Sequence, residues 1–214
     1  MKIVVFGVTG NIGRRVAAEA IQRGHEVVGV VRDPAKSQPV GGVSLVAGDA
    51  TDAAGVARAV RGADAVISAV SPRPGTTGSA PKLANAARGL IAGLKEAGVK
   101  RLIVVGGAGS LEVAPGVALM DTPGFPAAYL GEAMEGRDSL NVYRTEADGL
   151  DWTFVSPAAE IGPGERTGTY RTTIDQFLTD ERGHSRISYE DYAAALLDEL
   201  ENPQHVGRRF GVAY

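Results

Sequence analysis

Six short apolar runs, at residues 3–6, 27–31, 43–47, 65–70, 102–105 and 153–155, recur along the chain, and helical patterns lie between them. The runs are almost wholly apolar, where a strand with one wet face would alternate apolar and polar residues. Strands of that kind are buried on both faces, which is the condition of parallel strands covered by helices above and below. Helix ends are legible between them: Asp33-Pro34 reads as an N-cap with a first-turn proline, and Gly24, Gly62 and Gly98 stand where C-terminal glycines belong. The alternation predicts an α/β fold with a doubly wound parallel sheet, right-handed crossovers bringing the carboxyl ends of the strands to one edge. At 214 residues the expectation is one domain spanning 1–214.

The regularity breaks at 107–126, GAGSLEVAPGVALMDTPGFP, and at 156–168, SPAAEIGPGERTG. Both long connections follow strands and so belong on the carboxyl edge, and long loops inside compact domains tend to carry function. A helix over 189–200, with Ser188 and Asp191 at capping-box spacing, and a strand over 208–214 complete the pattern. A net charge of −3 offers no basic face, which argues against nucleic acid as a partner. No apolar run reaches membrane-spanning length and no cleavage-site pattern opens the chain, so no membrane partner and a cytoplasmic location are expected. Cysteine is absent, which excludes disulfides and thiolate chemistry, and His25, His184 and His205 lack metal-ligand spacing, so no metal site is expected.

The first strand runs into Gly7, Gly10 and Gly13 before a helix with Ile12, Val16 and Ala20 on one stripe. Such a junction is either a tight strand-to-helix turn or a cradle that lets a pyrophosphate reach the unpaired N–H groups of the helix. The Lys-Ser/Thr pair of a triphosphatase loop is missing, Arg14-Arg15 standing in its place. The second strand ends in VVRDPAK, where a carboxylate selects NAD and an arginine pairs with the 2′-phosphate of NADP, so Arg32 favours NADP(H) over NAD(H). Asp33 is either a ribose acceptor or, with the following proline, a helix cap. Arg14 and Lys36 are secondary phosphate contacts or plain solvated surface. Further along, Asp49 and Ala50 follow the third strand and Ser68, Ala69 and Val70 end the fourth, the places that line adenine and the ribose-pyrophosphate in such a sheet. Asp49 is alternatively a turn residue, and Thr51 or Asp52 a helix cap.

Taken together, GVTGNIG at 7–13, RGHEVVGVVRDP, GDATD, GVKRLIVVGGAGSL and LDWTFVSPAAEIGPGERTGTY resemble the atypical short-chain dehydrogenase/reductases. The closest group is that of the small NAD(P)H-binding proteins named as NADH-flavin reductases, similar to biliverdin reductase B and more distantly to NmrA-type regulators. The resemblance implies a Rossmann-type domain with a small C-terminal substrate region. Dinucleotide contacts are then implied at Gly7, Thr9, Gly10, Asn11, Ile12 and Gly13, and a nicotinamide near Ser68 to Val70, Gly106 to Ser110, and Ser156-Pro157. The Tyr-x-x-x-Lys pair of the larger superfamily is absent: Tyr129, Tyr143, Tyr170, Tyr189 and Tyr192 are followed four residues on by Ala133, Ala147, Ile174, Ala193 and Leu196. Without that proton donor, hydride delivery to a flavin, quinone or similar conjugated small molecule is favoured over reduction of a simple ketone, since the reduced anion is already stable. Flavin then enters as a substrate, not a prosthetic group. The alternative is a non-catalytic NAD(P)-binding redox sensor of the NmrA type; epimerase chemistry lacks a visible proton-shuttling pair.

Two residues are candidates for catalysis. Ser110 lies just past the fifth strand, positioned either to hold a substrate carbonyl or to bond loop backbone, and Tyr129 follows the long loop as a cap or weak proton donor. Leu119, Met120 and Phe125 offer an apolar wall to an aromatic ring, or simply pack. Trp152 reads as core. Arg166 reaches either an acidic substrate or a loop carboxylate. Ser79-x-x-Lys82 matches a penicillin-binding motif without its companions and is read as coincidence, Pro81 suggesting a helix start. The expected partner is a small-molecule hydride acceptor, and the chain is expected to be a monomer or homodimer.

Overall fold

A computed structural model of the chain describes residues 1–71 and 83–214; the Ser79/Lys82 motif lies outside them. The strands are β1 (Lys2–Phe6), β2 (Glu26–Val31), β3 (Ser44–Ala47), β4 (Ala65–Ser68), β5 (Arg101–Val105), β6 (Glu112–Ala114), β7 (Val117–Ala118), β8 (Asp151–Ser156), β9 (Glu160–Gly162), β10 (Arg171–Thr173), β11 (Arg186–Ser188) and β12 (Arg208–Ala213). The helices are α1 (Asn11–Gln22), α2 (Ala53–Val60), α3 (Leu83–Ala97), α4 (Ala127–Glu146) and α5 (Tyr189–Glu201).

Eight strands form one sheet in the order β10-β12-β8-β5-β4-β1-β2-β3, parallel throughout except for the antiparallel β10–β12 pair. The sequence-predicted doubly wound α/β sheet is therefore the observed one, with its reversal of strand order beside β1. Its two apolar faces are each covered. On one, Ile3, Val5, Ile67 and Ile103 pack beneath α1 and α5; on the other, Val4, Val66, Leu102 and Val104 pack beneath α2, α3 and α4. Adjacent residues of one strand thus serve opposite cores, which is why the runs are apolar at every position.

The boundaries follow local chemistry. Gly24, Gly62 and Gly98 take φ of +82°, +71° and +73°, the left-handed conformation that closes a helix. Ser188 caps α5, its Oγ accepting from Asp191 N at 2.9 Å. Trp152 is core, 5% exposed. One expected helix is missing: after β2 the chain makes a single 3-10 turn, Pro34–Lys36, capped by Asp33, and Pro39, Gly41 and Gly42 stop it from growing. The fourth strand ends at Ser68 and not at Val70, because Ala69 turns beneath the glycine loop. Within the 107–126 connection β6 and β7 form a small hairpin, and β9 pairs with β11 as a separate two-stranded ribbon.

Candidate dinucleotide and acceptor cleft

The glycines at the β1–α1 junction are required by contact as well as by conformation. Gly7 has φ of +74°, and a Cβ there would sit 2.4 Å from the Ala69 carbonyl oxygen. A Cβ on Gly13 would lie 2.2 Å from the Gly7 oxygen, so only glycine lets α1 pack this close to its own strand. Gly10 differs: its nearest neighbour would be the Gly7 oxygen at 3.3 Å. It occupies the N-cap of α1, has no side chain to bond the first turn, and no acidic residue follows in that turn. The first N–H groups of α1 consequently face the cleft uncapped, as an anion site requires.

Around this helix start, at the carboxyl edge of the sheet, opens a cleft of about 1310 Å³. Gly10, Asn11 and Ile12 line it together with Ser68, Ala69 and Val70 from the end of β4, Gly106 after β5, and Pro157 after β8. Eight of the sequence-predicted contact residues are thus gathered on one surface. Gly7, Thr9 and Gly13 stand behind it as the frame of the loop. Arg14 braces that frame, its Nε donating to the Thr9 carbonyl at 3.0 Å and its Nη2 to Gln38 Oε1 at 3.2 Å. Ser156 is fully buried with its Oγ sealed from the cleft.

Arg32 is exposed at the tip of β2 and makes no hydrogen bond or ion pair among the described residues. Asp33 beside it caps the following turn by accepting from Ala35 N at 3.1 Å, and Lys36 pairs with Asp33 at 3.1 Å. At Asp49 the carboxylate closes a turn, Oδ1 accepting from Thr51 N at 2.9 Å and Thr51 Oγ1 at 2.7 Å. Ala50, 7% exposed, packs under α3, where the Gly89 position touches its carbonyl.

Of the two catalytic candidates, Tyr129 lines the cleft from the first turn of α4 and is 60% exposed. Ser110 lies outside the lining; the buried Arg209 donates to its Oγ at 2.9 Å and its carbonyl at 2.8 Å, and through Nε to Asp175 at 2.8 Å. Leu119 and Phe125 line the cleft, whereas Met120 is buried. Arg166 was expected on an acidic substrate or a loop carboxylate and takes neither: it holds Glu19, a carboxylate of helix α1, through two 2.7 Å bonds.

The 156–168 connection was expected on this edge, but its contributing residues were not legible from sequence. Gly164, Glu165 and Thr167 line the cleft from the 156–168 connection, and Asp191, 0% exposed, holds that segment. Its carboxylate accepts from Thr167 Oγ1 at 2.7 Å, Gly168 N at 2.7 Å and the Tyr214 hydroxyl at 2.8 Å. Burial works against its charge, and these donors outweigh burial and hold the carboxyl below its ordinary value. At the mouth, Glu132 follows Tyr129 by one helical turn; crowding by the cleft walls and the neighbouring Glu135 push its carboxyl up.

A parallel sheet ordered 3-2-1-4-5 from its edge, with an uncapped glycine-lined helix start at its carboxyl edge, defines a dinucleotide-binding protein. The chain belongs to the NAD(P)H-binding family, whose profile matches residues 7–203. It is 42% identical to YwnB of Bacillus subtilis, covering 99% of this chain and 98% of that one. The NAD(P)H azoreductase of Xenophilus azovorans is 31% identical over 98% of this chain and 67% of its own length. A solved Streptococcus pneumoniae structure, of a protein whose description proposes an NADH-flavin reductase, superposes with a TM-score of 0.85 at 37% identity, covering 100% of this chain and 99% of that one.

Proposed function

We propose that the protein is an NAD(P)H-dependent reductase that passes hydride to a flavin, quinone or similar conjugated small molecule, with NADPH preferred. The observation that carries this reading is the union, in one cleft, of an uncapped glycine helix start and an apolar chamber. At about 1310 Å³ the cleft exceeds the roughly 300–1,000 Å³ typical of a site for one small ligand, leaving room for a second molecule beside the dinucleotide. Bound NAD(P)H supplies the hydride. The backbone N–H groups of Asn11, Ile12 and Gly13 hold the pyrophosphate, while Ser68 to Val70, Gly106 and Pro157 form the bed for the ribose and nicotinamide. Asp49, Ala50 and the tip of β2 take the adenosine end. Tyr129 stands at the mouth of the cleft, where it screens the interior from water; Ala133, four residues on, leaves it without a lysine to lower its pKa, which suits acceptors whose reduced anion needs no strong acid. Two named relatives, an azoreductase and a protein described in terms of flavin reduction, support conjugated acceptors.

Arg32 carries the cofactor preference. Arg32→Ala is expected to weaken NADPH about ten- to a hundredfold, the range for losing a charge-assisted contact, and NADH less than about threefold. Equal losses for both cofactors in a fluorescence titration would refute the assignment. The reductase reading is tested by saturating the protein with NADPH and following absorbance at the dihydronicotinamide band after adding FMN, menadione or an azo dye. Acceptor-dependent oxidation supports it; tight NADPH binding with no oxidation by any acceptor would overturn it in favour of the redox sensor.

A further inference from the structure

Beyond Gly106 the cleft continues inward between α3 and α4, where Ala86, Ala87 and Leu90 face Ser139 and Tyr143 across a floor of Val104 and Phe154. Ser139 is 4% exposed and Tyr143 is 2% exposed. Neither hydroxyl has a hydrogen-bond partner among the described residues, yet neither is among the partnerless polar atoms sealed away from open space, which are Arg101 Nε and Ser156 Oγ. Two hydroxyls four residues apart on one helix face, both buried, both without partners and both on the cavity wall, are an unfilled recognition pair: buried polar groups are bonded as a rule, and an unmet one is costly. Short side chains at Ala86, Ala87 and Gly136 leave space between the facing helices as a slot, and the rings of Phe154 and Tyr143 offer it aromatic surface.

We propose that this slot is the acceptor subsite, and that Ser139 and Tyr143 hydrogen-bond the carbonyl edge of an uncharged, flat conjugated ring such as a quinone. The inference rests on the reductase reading and adds the acceptor class to it. A carbonyl oxygen with two lone pairs accepts from both hydroxyls at once. Burial pushes the Tyr143 phenol up, so it keeps its proton and remains a donor at any physiological pH. Among the described residues no charged side chain lines the slot, and the carboxylates that line the cleft elsewhere, Glu132, Glu160 and Glu165, do not favour a phosphate-bearing ring. Val104 is two residues, roughly 7 Å, along β5 from Gly106, which places a ring in the slot within reach of the nicotinamide bed.

Trp152, the sole tryptophan, reports on the slot directly, its ring centroid lying 6.0 Å from that of Tyr143. The test titrates 1,4-naphthoquinone, and naphthalene as the same rings without oxygens, into the NADP-saturated protein, reading Trp152 quenching and calorimetric heat. Ser139→Ala and Tyr143→Phe should each weaken naphthoquinone about three- to tenfold while leaving naphthalene and NADPH affinities unchanged. Naphthoquinone affinities equal in wild type and both variants, or no saturable binding, would overturn the subsite. The outcome is separable from that of the parent reading. Variant-sensitive quinone binding without NADPH oxidation sinks the reductase and keeps the slot; undiminished oxidation with unchanged KM in both variants keeps the reductase and sinks the slot.

Discussion

Gly13→Ala is expected to destabilise the protein by about 1–3 kcal/mol, lowering Tm by roughly 2–12 °C, and to weaken NADPH more than tenfold. In an ordinary helix interior the same change is favourable by nearly 1 kcal/mol. The sign reverses here because the new methyl meets the Gly7 oxygen at 2.2 Å and Gly7 C and Val8 Cα at 2.9 Å, all backbone atoms that no rotamer change can move. Helix α1 must lift from β1, and the N–H groups aimed at the pyrophosphate lift with it. Gly10→Ala is the informative partner, since its methyl has only the 3.3 Å contact. It should fold with a loss below about 1 kcal/mol, as N-cap exchanges do, yet bind NADPH at least tenfold more weakly because the methyl stands where the phosphate approaches. Thermal melts paired with fluorescence titrations check both. A Gly13→Ala protein with unaltered Tm and affinity would show that the glycines are not the frame of the site.

Asp191→Ala carries the second large effect. It strips the acceptor from Thr167, Gly168 and Tyr214 and leaves those partly buried neutral donors unmet, a loss of about 1–3 kcal/mol. Because the same carboxylate fixes the segment carrying Gly164, Glu165 and Thr167 on the cleft wall, NADPH affinity should fall with stability. The pH dependence has a definite sign. The folded pKa is depressed, so the stabilisation is complete above the unfolded value of about 3.9 and is lost as pH falls through the lower folded value. Urea denaturation at pH 7 and across that acid window should show this slope in wild type and a shallower one in Asp191→Asn, the remainder coming from carboxyls such as Glu19, Glu190 and Glu199 that are also held low. A variant with wild-type midpoint at pH 7 would refute the role.

Ile3, Val27, Ala65 and Leu102 could be placed in the sheet from sequence because each stands in a run long and apolar enough to admit no other burial. The pairings β9–β11 and β10–β12 could not, since the three-residue strands β9, β10 and β11 are held by partners far away in sequence: Thr173 meets Gly211, and Ser188 meets Gly162. In the site, Gly7, Gly10 and Gly13 announce themselves through local spacing. Ser139 and Tyr143 do not, for a hydroxyl four residues from another on a helix looks like any stripe until its lack of partners is seen. Arg166 was ambiguous for the same reason: its carboxylate, Glu19, lies 147 residues earlier. Ser188 and Asp191 gave their cap away by spacing, but the three further donors to Asp191 come from loops that no period describes.

The interior place of β12, hydrogen-bonded to β8 on one side and β10 on the other, has a consequence for biosynthesis. A nascent chain that has emerged only through α5 presents Asp151–Ser156, DWTFVS, as an unpaired margin with apolar side chains on both faces. The sheet is closed there only by residues 208–213, so the last stage of folding waits on them, and an open strand margin of this kind invites association with other chains in the interval. Ribosome stalling with residues 208–213 still in the exit tunnel should therefore yield a chaperone-bound, protease-sensitive intermediate, while emergence of those residues should let this side of the sheet close.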